Sequence, residues 1–361
     1  MTTFPRLDPT RPHQIIIVLS AHNSNPNGDP DADNQPRTNP FTGHGLISAV
    51  SIKRKARDYV QERYVGQSGM EVFIRQGEVM GTLAFDTLRR AGVQVSQGVS
   101  FTDDDLATLL DQDLPEAFEL VESELRYNKT LKKGEITKLL ARLKGNGVGE
   151  DLLGRLEALT TAKQEKGDRQ EMQKAAGPVM AQRFWDARLF GYTAPDSAGK
   201  TRGPVQVTDA ESLTPVNLIS HTLTRVARSK TSDKDGDGQI ARRTVVDHAV
   251  YVATAFVNPK LAAIQGVSAD DLQAFLEGLW YGQEVARSSA RPDVRVEALV
   301  ILSHEHPYGS APYPQLAERL QIQHPGGTDV RVMYDQDRLP SGVQVEVITS
   351  RANRPQEEAV D

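Results

Sequence analysis

No cysteine occurs among the 361 residues. That excludes disulfides, thiol nucleophiles and every zinc or iron–sulfur site built on cysteine. Aromatic residues are only 6% of the chain, so a surface that stacks base after base on rings has little to be made from. No apolar run approaches the roughly 20 residues of a membrane-spanning helix; the longest aliphatic stretch is Ile15–Leu19. Residues 1–14 lack the basic start and apolar core of a secretory leader, so a cytoplasmic protein without a membrane partner is expected. Cationic excess is missing too: 42 Lys and Arg stand against 48 Asp and Glu, a formal net charge of −6. That balance argues against a general nucleic-acid coat.

The net charge hides local asymmetry. Residues 102–124 hold nine acids and no Lys or Arg, whereas 129–144 hold six basic residues against Glu135 alone. Further basic clusters lie at 53–63 and 225–243. Taken singly, each reads as a solvated face. The acidic and basic runs could also meet across a boundary between subunits.

The length allows two domains, or one with a large insertion. His13–Ala21 is aliphatic and β-branched, the pattern of a strand buried on both faces. Asn23–Gly45 is loop by composition. Leu46–Arg63 has helical spacing, with Leu46, Ala49, Val50, Ile52, Ala56, Tyr59 and Val60 on one broad face. Lys53 and Arg57 fall at one edge of that face beside Arg54, and Lys55 points away. Helices are expected around Leu106–Leu110, Ala117–Leu125, Ile136–Leu143 and Leu152–Leu159, and loops at Gly145–Gly149 and Lys163–Arg169. Strands are expected at Pro204–Val207, Thr244–Val257, Val294–Ser303 and Val343–Ile348, with a helix over Ala269–Ala286 capped by Ser268. Strand, helix, strands, helix, strand is the βαββαβ order of ferredoxin-like and RNA-recognition-motif folds, within the α+β class.

Four motifs suggest chemistry and are weak on their own terms. Ala194–Thr201 (APDSAGKT) fits a relaxed phosphate-binding loop, but Arg202-Gly-Pro204 blocks the helix such a loop must open. Asp233–Gly238 mimics the start of a calcium loop, yet Thr244 stands where the bidentate Glu belongs. His304 and His306 alternate along a strand with no third ligand near. Asp29, Asp31 and Asp33 could hold magnesium for a ribonuclease; Asx turns in a Pro-rich loop explain them equally well.

One set of residues is more specific. Asn25-Pro-Asn-Gly-Asp-Pro-Asp31, Asn34-Gln-Pro-Arg37, Thr42-Gly-His-Gly-Leu46 and Lys53-Arg-Lys-Ala-Arg57 closely resemble the N-terminal signature of the backbone subunit of type I CRISPR Cascade complexes, in particular the type I-C branch. Phe184-Trp-Asp-Ala-Arg-Leu-Phe-Gly191, Arg202-Gly-Pro-Val-Gln206 and His221-Thr-Leu-Thr-Arg225 continue the likeness in the same order. Residues 66–183 match loosely.

The resemblance implies a modified RNA-recognition-motif (ferredoxin-like) palm from 1–65 and 184–350. It implies a mostly helical finger insertion at 66–183 and a protruding β-ribbon thumb near 219–244; the C-terminal residues 351–361 read from the sequence as a flexible tail. It implies a subunit with no catalysis and no cofactor, whose copies line up head to tail along CRISPR RNA. The spacer is held for pairing with a target DNA strand, among other Cascade subunits, and cutting is left to a recruited helicase-nuclease. The residues expected at the RNA are Asn25, Asn27, Arg37, Lys53, Arg54, Arg57, Arg188, Arg202, Gln206, His221, Thr224, Arg225, Arg228, Lys230, Arg242 and Arg243. Lys53, Arg54 and Arg57 form one arc suited to phosphates. His221–Arg243 reads as a basic ribbon turning at Asp235–Gly238, its tip too acidic to grip phosphate itself.

Overall fold

The computed structural model describes residues 2–78, 80–92, 101–121, 124–127, 131–161, 166–193, 199–224, 240–324 and 329–350. They form two compact units, one holding residues up to Leu83 and again from Gly177, the other Ala84–Ala176.

The first unit is built on an eight-stranded sheet. In chain order its strands are β1 (His13–Ser24), β2 (His44–Ile47), β3 (Val205–Val207), β4 (Ala210–Pro215), β5 (Leu218–Thr224), β6 (Ile240–Val257), β7 (Val294–His304) and β8 (Val343–Thr349). They lie in the order β8-β7-β1-β6-β4-β2, with β5 and β3 also paired to β6, and every pairing is antiparallel. β1 is the centre, as its unbroken apolar run requires. Ile15, Ile17 and Leu19 face one side, and Ile16 and Val18 face the other, all fully buried.

Two helices cover the first side: α1 (Ala49–Arg63) and α2 (Ala269–Val285). Ile52, Ala56 and Val60 of α1 join Leu272, Phe275, Leu276 and Leu279 of α2 over β1. The helices approach closely because Gly278 and Gly282 face Ala56 and Lys55; a Cβ built on Gly282 would lie 2.5 Å from the Lys55 carbonyl oxygen. Ser268 caps α2 as expected, and its third residue, Asp271, returns the bond to complete a capping box. The opposite side of the sheet is covered as well. Leu316 and Tyr334 pack on Ile16, Val300 and Leu302, and Val330 packs on Val18, Val250 and Ala298, with the hairpin Leu320–Gln323/Arg331–Tyr334 above them. Over β1, β6 and β7 the described residues leave neither face open for bases to stack on, whereas Gln206 on β3 and Glu211 and Leu213 on β4 are exposed. The shortage of aromatics fits that arrangement.

The second unit has its own core, including Leu109, Leu143 and Leu156, from the helices Asp103–Leu110, Lys133–Gly145 and Glu150–Thr161. Ala117–Leu125 is not the expected helix. Phe118–Val121 and Glu124–Tyr127 form a hairpin in which Phe118 opposes Tyr127 and Leu120 opposes Leu125. The Phe118 and Tyr127 rings stack at 5.0 Å. Here cross-strand pairing outweighs an apolar spacing that also fits a helix. Lys166–Arg169 opens a helix running to Arg183, where a loop was expected. Within the acidic run Asp105 is bonded by Arg155 at 2.8 Å, and Arg142 donates to the backbone carbonyls of Gln112 and Asp113.

Two positions of the expected first helix differ. Leu46 lies on β2, because Ser48 and Asn27 start the helix only at Ala49, and Val50 is 72% exposed. Among the described residues no helix is long and apolar enough to cross a membrane.

Candidate nucleic-acid interface

At the C-terminal end of β1, Ser24 pairs with Val246 of β6. Beyond that point β6 continues back to Ile240 with β5 as its partner, so the two strands leave the sheet as a ribbon. His221 stands opposite Arg243, and Thr222 opposite Arg242. Alternation puts His221 and Arg243 on one ribbon face and Arg242 on the other. Among the described residues no carboxylate lies within ion-pair distance of Arg242 or Arg243, and the Arg243 Nε is buried without an acceptor. Thr224 pairs with Ile240 at the outer limit of this stretch. Arg225, Arg228 and Lys230, like the Asp233–Gly238 motif, lie outside the described residues.

The loop after β1 emerges at the same end. The Asn25 amide donates to the carbonyl of Asn34 at 2.7 Å, and its backbone N–H donates to the carbonyl of Ala290 at 2.8 Å. Asn27 Oδ1 accepts from both the backbone N–H and the hydroxyl of Ser48, at 2.8 and 2.9 Å, while the Ser48 hydroxyl caps α1. Arg37 donates to the Gly28 carbonyl at 3.2 Å and meets Asp29 at 3.4 Å, half exposed. The Asn-rich signature therefore fastens the end of β1 to the start of α1. Asp29 is engaged by Arg37 and caps the turn through the Asp31 N–H. Among the described residues no three His, Asp or Glu side chains gather as metal ligands would. His304 is fully buried with Nδ1 accepting from the Ser310 N–H, and His306 lies past the strand in a turn.

The expected arc on α1 divides. Lys53 stays half exposed, with its ammonium 5.4 Å from the Phe190 ring centre, and burial followed by Arg57 lowers its pKa. Arg54 is half-buried and bonds Asp58 at 2.7 Å. Arg57 is a correction: it is buried, and its Nε donates to Asp186 Oδ2 at 2.7 Å. Asp186, with no exposure, also accepts from the N–H groups of Phe73 and Ile74. Arg188 is corrected in the same way. It is buried against Asp271, the residue that completes the α2 cap, and donates to the carbonyls of Ala181 and Gly69. Both arginines hold the fold together and are not free for phosphate. Their partners lie 129 and 83 residues away in sequence, beyond any local pattern. One signal existed: an acid inside an apolar run, as in Phe184-Trp-Asp-Ala, must find a buried cation.

Arg202 and Gln206 are exposed but lie at the other end of the sheet. Gln206 pairs with Phe256, ten residues along β6 from Val246, or roughly 33 Å at a strand's rise. Lys200–Arg202 is a strand, so no helix opens after the APDSAGKT motif. Lys55 does point away from Lys53, but into the protein. Its Nζ donates to the Ser51 hydroxyl at 2.6 Å, and burial, then the charge of Arg291, brings its pKa down to about 8.

These features define an α+β protein with one main antiparallel sheet, a cationic ribbon and a tightly fastened loop at the ribbon's base. The family model for the CRISPR-associated protein Cas7 matches residues 11–339, and the chain belongs to that family. A CRISPR-associated protein Cas7 of Haloferax volcanii is 37% identical over 65 residues, 18% of this chain and 18% of its own length. Among solved structures, a chain of a CRISPR RNA-guided surveillance complex, pre-nicking, superimposes with a TM-score of 0.47 at 18% identity, covering 85% of both chains. A second CRISPR RNA-guided surveillance complex gives 0.40 at 18% identity, covering 88% of this chain and 82% of that one.

Proposed function

We propose that this chain is a non-catalytic CRISPR RNA-binding backbone subunit of a type I-C Cascade, several copies of which lie head to tail along the guide. In this reading the first unit is a palm of the RNA-recognition-motif type. The order β7-β1-β6 followed by β3 and β4, with α1 and α2 on one face, supports it as the split βαβ arrangement. Residues 66–183 serve as the finger and 219–244 as the thumb. The guide's spacer is held for pairing with a target DNA strand, beside other Cascade subunits, and a recruited helicase-nuclease cuts.

The observation that carries the proposal is the ribbon, which leaves the sheet with Arg242 and Arg243 lacking carboxylate partners among the described residues and His221 opposite Arg243. Cations in such a place bind phosphates without reading sequence, which suits a protein that must accept every guide. With both faces of the sheet covered at β1, β6 and β7, the RNA runs over the ribbon, Arg37, Lys53 and Arg54, leaving base edges free.

Fluorescence anisotropy of a labelled single-stranded RNA over a salt series tests this. Arg242→Glu with Arg243→Glu should abolish tight binding in a folded chain. The milder Arg242→Gln should lower the salt slope by about 0.7 if it loses one phosphate contact. Unchanged affinity and slope in both would remove the ribbon from the interface.

A further inference from the structure

Lys55 departs from the pattern of the other strongly buried cations. Arg57 and Arg188 each have a carboxylate, whereas the Lys55 ammonium, in a residue 6% exposed, reaches among the described residues only the Ser51 hydroxyl at 2.6 Å and carbonyl at 3.4 Å. A buried cation without an anion is strongly unfavourable, and such departures tend to mark functional positions.

A second cation acts on it: after burial, the charge of Arg291 does most to lower the Lys55 pKa. Arg291 ends the turn that follows α2, closed by backbone bonds between Ser288 and Arg291, and its Nε is buried without an acceptor. That turn is fastened to the signature loop through Asn25, whose N–H donates to the Ala290 carbonyl and whose own Oδ1 has no donor among the described residues. The other charges nearby do not neutralise the pair. Asp58 is bonded to Arg54, Glu284 to Arg287, and α2 presents Gly282 to the Lys55 backbone. Among the described residues no carboxylate lies within ion-pair distance of Lys55 or Arg291.

We propose that Lys55 and Arg291 together bind one phosphate of the RNA backbone, at a subsite separate from the ribbon. The proposal rests on the reading that the chain binds RNA. The ammonium keeps a donor beyond those turned to Ser51, and the guanidinium offers several more, so a phosphodiester anion could accept from both and supply the missing charge. A phosphate there would also reverse the effect of burial and of Arg291 on Lys55, which in the free chain has a pKa of about 8.

The test uses the full chain and a labelled single-stranded RNA. Lys55→Met and Arg291→Gln should each weaken binding by about tenfold or more and flatten the salt slope by about 0.7. The double variant should flatten it no further, because both side chains hold one phosphate. Without RNA, Lys55→Met should melt higher than the wild type. The wild type should gain stability as pH rises from about 8 toward 10.5, where its unfolded state holds the Lys55 proton more tightly, and the variant should not. If Lys55→Met does not fold, Arg291→Gln carries the test alone. Wild-type affinity and slope in Arg291→Gln would overturn the proposal. So would intact RNA binding with lost self-association, which would make the occupant an acid of a neighbouring copy. Failure of the wild type to bind RNA would instead overturn the functional reading beneath it.

Discussion

Replacing Asp186 with Asn would leave the Arg57 guanidinium buried against Phe190, 5.1 Å from its ring, without a counterion. Breaking a buried pair in this way costs about 3–5 kcal/mol. Asp186→Asn should therefore lower the unfolding free energy by about that amount in denaturant titration, while the folded fraction keeps the wild-type salt slope for RNA. A flattened slope with unchanged stability would return Arg57 to the interface. At this scale the sequence was readable only in part. Lys53, Arg54, His221 and Arg242 are reachable by solvent, as surface arginines, lysines and histidines ordinarily are. Arg57 and Arg188 look identical to them in a one-dimensional pattern. Their burial is decided by Asp186 and Asp271, and only the fold brings those residues close. Lys55 escaped for a related reason: a helical wheel gives direction and says nothing of what covers the far side.

The contact between α1 and α2 rests on two positions without a side chain. Gly282→Ala would push a methyl group to 2.5 Å from the Lys55 carbonyl, an overpacking expected to destabilise by about 1–3 kcal/mol. The melting midpoint would record it, and an unchanged or higher midpoint would mean that the helices can move apart freely. Elements with one dominant signal were legible in advance. β1 and β7 carry continuous aliphatic runs, and α2 has Ser268 and Asp271 at its start. Residues 117–125 were misread because Ala117, Leu120, Val121 and Leu125 fit a helix as well as a hairpin, and the Phe118–Tyr127 pairing decides for the hairpin. Of the basic ribbon expected at His221–Arg243, residues 225–239 lie outside the described residues, and its ends are the paired strands β5 and β6. That it departs where β1 ends came from the register alone.

Across the whole molecule, three histidines are held below their ordinary pKa of 6.5, in each case by burial first. His13 and His304 feel Arg11 as a further cause, and His248 feels His324 and His22. As pH falls through about 6.5 the unfolded chain takes up protons that the folded chain resists, so the unfolded state gains. The melting midpoint should fall between pH 6.5 and 5. A constant midpoint there would mean that these rings protonate in place.

The net charge of −6 is compatible with RNA binding because it is unevenly spread: the acids of 102–124 belong to the second unit, and the ribbon cations Arg242 and Arg243 to the first. If the chain is a repeating backbone, the interface between copies must be heterologous and open, so that RNA length sets the number of copies. The most direct measurement is the mass, by light scattering, of complexes formed on single-stranded RNAs of graded length. The account predicts masses that rise in steps of one 39.7 kDa chain as the RNA lengthens. A single mass indifferent to RNA length, or a closed dimer forming equally well without RNA, would contradict it.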